Sequence, residues 1–327
     1  MFSFAVIFAG GKKDAPKTQT KNLEVVRIGL LSGPSGIPCA KLLSDSENNF
    51  AFPAIEHQVF ASAMQLLPKI ISGEIDIGFL PPNVAAKAYN SGNAVLVNVG
   101  VSGNGMISLI TKDDSIRSIL NLRGKTVAVA GAGATPEYVF KTILLNESQD
   151  SNFFESVILD FSIPNTQIAA AVISGTVDAA IVPEPFATLA QMQDSEVKRV
   201  VDIQEAFAKA GGFYDYPMTL IVASAKFAKE NPQFIAQFQT EYQKAQNWTK
   251  ENPKEAGELS EKYALGLKSA VVQNAIPNLA YTFALPFDSK AQVENLLNVF
   301  LRFAPEAVGG KLPADDFYFK IPDGADF

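Results

Sequence analysis

One cysteine, Cys39, one histidine, His57, and one tryptophan, Trp248, are all that 327 residues contain of these types. A single cysteine excludes an internal disulfide. A single histidine leaves histidine-based metal sites and Ser–His or Cys–His catalysis little to work with. Cys39 reads as a small buried apolar group, and His57 lies in the strand-like run "AIEHQVF". The chain also lacks a basic block, and its net charge is −7, which argues against a nucleic-acid partner. No stretch of eighteen apolar residues occurs, so no transmembrane helix is expected. No Gly-Lys-Ser/Thr follows the glycine-rich loops, and "GAGATP" ends in proline where a dinucleotide fingerprint needs glycine, so nucleotide signatures are weak. No cofactor and no metal set is expected.

What is present is apolar and ordered. Hydrophobic residues make up 47% and charged residues 19%, enough for a sizeable core. Residues 1–22 begin with the apolar run Phe2 to Ala9, then small residues, then a polar linker. This reads as the back half of a secretory signal peptide, so an exported, periplasmic or extracytoplasmic protein is expected.

The strongest internal signal is a repeat. "ISGEIDIGFLPPNVAAK" starts at Ile71, and "ISGTVDAAIVPEPFATL" starts at Ile173. In one register Ser72 answers to Ser174, Gly73 to Gly175, Asp76 to Asp178 and Pro81 to Pro183. Each copy reads as a helix end, a left-handed glycine turn and a short buried strand stopped by proline. Upstream, "VVRIGLLSGPSGIPCAKLL" and "KTVAVAGAGATPEYVFKTILL" both read as strand, glycine-rich loop and helix, with Pro38 and Pro136 at the helix starts. "GMISLIT" and "PMTLIVA" fall at matching places further on. Alternation of this kind predicts an α/β fold with two mostly parallel sheets flanked by helices.

After Lys226 the pattern turns helical. Asn231 and Asn252 are expected as caps before Pro232 and Pro253. Phe234, Phe238, Tyr242, Ala245 and Trp248 form one stripe, and Ser289 with Gln292 reads as a capping box. The expected division is a lobe of 23–112 plus 225–327 and a second lobe of 113–224. Hinges are expected near Thr111–Ser115 and Tyr216–Ser224, with the ligand cleft between the lobes at the strands' carboxyl ends.

The strand-end loops supply the candidate site. In the first unit these are Ser32, Gly33, Ser35, Gly36 and Ile37, then Phe60 and Ser62, then Asn83. In the second they are Gly133, Ala134 and Thr135, then Glu184. Backbone amides at the helix starts suit an anionic group or a polar oxygen. Ser35 and Thr135 either offer hydroxyls to a ligand or cap their helices. Phe60, Tyr138, Phe186 and Tyr216 either stack on a planar ligand or belong to the core. Glu184, held between Pro183 and Pro185, either accepts from an amino or amidine-like ligand group or caps the following helix. No arginine falls in these loops, which argues against a bidentate carboxylate clamp.

With these residues in place the chain resembles the type II periplasmic substrate-binding proteins of ABC importers, in the nitrate, sulfonate, bicarbonate and thiamine-precursor branch. The resemblance runs from about Leu23 to the end. It rests on "SGEIDIGFLPP", "LRGKTVAVAGAGATPEYVF", "SGTVDAAIVPEPFATL" and "GGKLPADDFYF". It implies a monomeric, non-enzymatic, two-lobed protein that closes on a small molecule and presents it to a membrane permease. A nitrogen heterocycle or a small anion is the expected ligand. The lipid-anchor cysteine of many members has no counterpart here, and the mostly neutral loops weaken a nitrate or sulfonate assignment. The alternative is an enzyme of the same fold, resembling the menaquinone-route dehydratases or the thiamine-pyrimidine synthases. The latter would need a cysteine-rich iron-binding motif.

Overall fold

The computed structural model describes residues 23–321 except 48–51, 93–94, 149, 151, 212 and 214. The expected leader over residues 1–22 lies outside the described residues. Ten strands are seen among them: β1 (Val25–Leu31), β2 (Ala54–Phe60), β3 (Ile77–Leu80), β4 (Leu96–Val101), β5 (Ile107–Thr111), β6 (Thr126–Val129), β7 (Ile158–Asp160), β8 (Ala179–Pro183), β9 (Lys198–Asp202) and β10 (Leu220–Ser224). The helices between β1 and β4 are α1 (Ile37–Ser46), α2 (Ala63–Ser72) and α3 (Pro82–Asn90). Those of the middle are α4 (Thr135–Asn146), α5 (Phe153–Ser156), α6 (Asn165–Ile173), α7 (Phe186–Gln193) and α8 (Ile203–Lys209). Those after β10 are α9 (Ala225–Glu230), α10 (Pro232–Glu251), α11 (Pro253–Lys262), α12 (Ser269–Ala275) and α13 (Lys290–Phe303).

The strands form two five-stranded sheets with one shared plan: β2-β1-β3-β10-β4 and β7-β6-β8-β5-β9. Within each, four strands run in one direction and only the strand at the fourth position is antiparallel. That antiparallel strand comes from the other half of the chain. β5 leaves the first unit to pair with β8, and β10 leaves the second to pair with β3. The matching places of "GMISLIT" and "PMTLIVA" mark this exchange.

The exchange moves the expected boundaries. β5 already belongs to the second sheet, so the first crossing lies at residues 102–106 rather than near Thr111–Ser115. β10 already belongs to the first sheet, so the second crossing occupies residues 216–219, the front of the expected stretch. The two crossings run antiparallel side by side. Ser102 N donates to Thr219 O at 3.0 Å, Met218 N to Gly103 O at 2.9 Å and Gly105 N to Tyr216 O at 3.1 Å.

The repeated aspartates explain why the motif recurs. The Asp76 carboxylate accepts from Arg27 N at 2.9 Å and from the Arg27 guanidinium at 2.7 and 2.9 Å, while Asp76 N donates to Arg27 O. Asp178 accepts from Thr126 N at 2.7 Å and donates its own amide to Thr126 O. Each aspartate ties the turn after a helix to the amino end of its unit's first strand. Gly73 and Gly175 precede them with φ of 76° and 72°, a conformation that side chains with a Cβ resist.

The helical tail keeps its predicted stripe, and Asn231, Asn252 and Ser289 stand at the expected N-cap positions of α10, α11 and α13, but none makes a side-chain cap bond. Phe234, Phe238, Tyr242 and Ala245 are buried and join one face of the first sheet with α1, and Trp248 is partly buried. Asn231 and Asn252 instead close the preceding helices, each donating Nδ2 to the carbonyl four residues back. Ser289 bonds the carbonyls of Leu285 and Pro286 rather than capping α13. The reason is common to all three: a carbonyl three or four residues back competes for the same short polar side chain. Val293, Leu296, Leu297 and Phe300 are buried as the pattern requires.

Candidate functional site

The lobes meet where the repeat places the strand-end loops. Asn83 opens α3 in the first lobe, and its Nδ2 donates to Gly133 O of the second lobe at 3.0 Å. Pro81 and Pro82 lead into α3, so Asn83 and Val84 carry the first-turn amides that lack intrahelical partners. In the facing loop Gly131 N donates to Asn165 Oδ1 and Gly133 N to Glu137 Oε2. Ala134 is the N-cap of α4, and Thr135 is its first residue. The amides of Thr135 and Glu137 are the orphans of that end, since Pro136 has none. Two helix amino ends, each with partial positive charge, thus confront one another across the cleft.

Two side-chain atoms at this junction are unusual. Asn83 is 5% exposed and Thr135 2%, yet Asn83 Oδ1 and Thr135 Oγ1 are buried without a hydrogen-bond partner. Ser35 and Thr135 make no side-chain cap bond, so the capping alternative falls away for both. Gly33 and Gly36 are buried in the loop before α1 and Ile37 is buried at the start of that helix, with Ser32 at the loop's exposed edge. The loop's carbonyls at Pro34 and Ser35 accept from Tyr281 and Tyr242. These tyrosines hold the loop from the core side. Ser62 is exposed at the start of α2 with no capping bond.

The aromatic candidates go elsewhere. Phe60 is buried in the core, and Tyr138 packs on Phe300 of α13 with ring centroids 4.7 Å apart. Tyr216 is fully buried against Phe207. Their rings fill packing sites, which corrects the stacking alternative for these three. Phe186 is partly buried against the core of the second lobe.

Glu184 is not a free carboxylate. Its Oε2 accepts from Thr188 N at 3.2 Å, which caps α7, and its Oε1 binds Arg199 Nη2. Arg199 also donates to Thr188 Oγ1 at 2.7 Å, and Asn278 Nδ2 lies 3.4 Å from that hydroxyl. Burial pushes the Glu184 carboxyl above its ordinary value, opposed by the Arg199 charge. A cavity of about 400 Å³ adjoins the pair, lined in part by Met106, Ser108, Gln204, Asn278 and Ala280. Arg199 is the residue sequence reasoning missed. It sits in β9, outside every strand-end loop, and strand pairing of β9 with β5 brings it beside Glu184.

Two lobes of this plan joined by paired crossings form the periplasmic-binding-protein fold. The NMT1/THI5-like family model matches residues 57–256, and the chain belongs to that family. A putative aliphatic sulfonates-binding protein of Bacillus subtilis is 24% identical over 322 residues, covering 95% of this chain and 91% of its own. An ABC transporter protein from Parabacteroides distasonis superposes with a TM-score of 0.75 at 22% identity, covering 91% of this chain and 99% of that one. The periplasmic aliphatic sulphonate binding protein SsuA of Escherichia coli superposes at 0.70 and 21% identity, covering 90% and 99%. The periplasmic nitrate-binding protein NrtA of Synechocystis superposes at 0.62 and 13%, covering 90% and 87%.

Proposed function

We propose that this protein is an extracytoplasmic solute-binding protein that captures a small molecule between its lobes and delivers it to an ABC permease. The carrying observation is the junction at Asn83 and Gly133, where the amino ends of α3 and α4 face each other beside two buried polar atoms without partners. Helix amino ends hold an oxyanion without a cationic side chain, so the neutral loops do not weigh against a sulfonate-like ligand. The sulfonate-binding relatives support that class. Closure shifts an equilibrium between open and closed lobes toward the form that contacts the ligand from both sides. The crossings at 102–106 and 216–219 are the hinge, and the protein acts as a monomer.

The enzyme alternative finds less support. Cys39 is buried, and desolvation raises its thiol far above the range in which a thiolate forms. The ring of His57 is engaged, its Nε2 2.9 Å from Tyr263 O. Among the described residues no helix is long and apolar enough to cross a membrane.

Thermal denaturation with ethanesulfonate, nitrate or an aminopyrimidine tests the proposal. A ligand at a hundred times its Kd stabilises the fold by about 2.7 kcal/mol. A flat response to all three classes would overturn it.

A further inference from the structure

We propose that the site selects a ligand carrying a hydrogen-bond donor beside its acceptor group, a hydroxy- or amino-substituted small oxyanion, and that Asn83 Oδ1 reads the donor. This rests on the solute-binding reading and specifies the ligand class. The amide orientation follows from its partner. Nδ2 faces the Gly133 carbonyl, which accepts only from a donor, so Oδ1 must be the other atom. Oδ1 is sealed from solvent and has no donor of its own. Thr135 Oγ1 is in the same condition two residues beyond Gly133. A hydroxyl satisfies itself with either a donor or an acceptor, whereas an amide oxygen accepts only. Asn83 therefore sets the requirement. The first-turn amides of α3 and α4 take the ligand's acceptor oxygens, and an oxyanion without a donor leaves Oδ1 unpaired.

The same atoms oppose closure over an empty site. A buried acceptor without a donor is costly, and opening the lobes returns it to water. A donor-bearing ligand removes that penalty, so closure follows binding.

Two measurements test this. The first needs no ligand. Spin labels at Met64→Cys and Met192→Cys, on exposed positions of α2 and α7, report the distance between lobes, and buried Cys39 is shielded from labelling. The empty protein is expected to be mainly open. Thr135→Val, which removes one unpaired atom at constant shape, should raise the closed-to-open ratio roughly tenfold. Thr135→Ser, which keeps the hydroxyl, should restore the original ratio. An empty protein already closed, or a Thr135→Val variant with an unchanged distance distribution, overturns the proposal.

The second measurement compares ethanesulfonate with 2-hydroxyethanesulfonate by calorimetry. The hydroxylated ligand should bind roughly tenfold more tightly, the value of one satisfied buried acceptor. That preference should shrink below about threefold in Asn83→Leu, which retains no acceptor to satisfy. Equal affinity in the unmodified protein overturns the proposal. If neither sulfonate binds, the sulfonate reading fails, and the spin-label populations still decide the role of the unpaired atoms.

Discussion

Asn83 and Gly133 lie fifty residues apart in the chain and in different lobes, yet they share a 3.0 Å hydrogen bond. The bond is made between the first turn of one repeat unit and the glycine-rich loop of the other. Asn83→Ala should weaken binding of the protein's solute by about 1–3 kcal/mol, through the loss of this bond and of the adjacent acceptor. Calorimetry on a folded variant decides it, and an unchanged Kd would remove Asn83 from the site.

Glu184 and Arg199 form a pair in which one partner is buried and the other is a quarter exposed. Arg199→Met should cost about 2–3 kcal/mol, below the full value for a buried pair because solvent reaches the guanidinium. Adding Glu184→Gln should recover part of the loss. Urea unfolding of the two single variants and the double variant measures the coupling, and simple additivity would mean the pair is not a unit.

The same carboxyl makes a pH prediction. Its folded value is raised by burial, so between the ordinary glutamate range and that raised value the native state binds more protons than the unfolded chain. Stability from this group is present below the ordinary value and declines as pH rises through the window. Glu184→Gln should flatten that part of the stability curve. A variant with the original slope would assign it to another group.

In the first crossing, Gly105 has φ of 62°, and a Cβ there would stand 1.7 Å from Gln204 Oε1. Gln204 is held by its bond to Asp215. Gly105→Ala should therefore destabilise by about 2 kcal/mol or more, combining backbone strain with a side chain forced aside. Chemical denaturation giving a loss below half that size would show that the crossing yields easily.

Asp76 and Asp178 do the same work in different surroundings. The Asp76 side chain is 8% exposed and that of Asp178 is 38%. Asp76→Ala should cost about 2–4 kcal/mol, since the Arg27 amide and the Arg27 guanidinium lose a charged partner. Asp178→Ala should cost about 1 kcal/mol, because water replaces much of what is lost. Equal losses in thermal unfolding would break the link between burial and cost.

Local structure was legible from the residues alone. The glycine turns, the buried strands that follow them, the prolines near helix starts and the α10 stripe all depend on neighbours a few positions away. Such neighbours set dihedral preference and periodicity directly. The repeat carried this further, since two copies of one pattern imply two copies of one unit. The asparagines reach the expected cap positions, but their side chains turn to the carbonyls four residues back.

What tertiary structure decided was partnership across distance. The exchange of β5 and β10 depends on which sheet edge each strand meets, and an apolar run pairs equally well by its own chemistry with either. Arg199 reaches Glu184 only once β9 has paired with β5, so no loop motif could announce it. The vacant bonding capacity of Asn83 and Thr135 likewise exists only when two lobes shut together. Sequence thus determined which short elements form and that they come twice. Packing over long separations determined which atoms of those elements are left facing the cleft without partners.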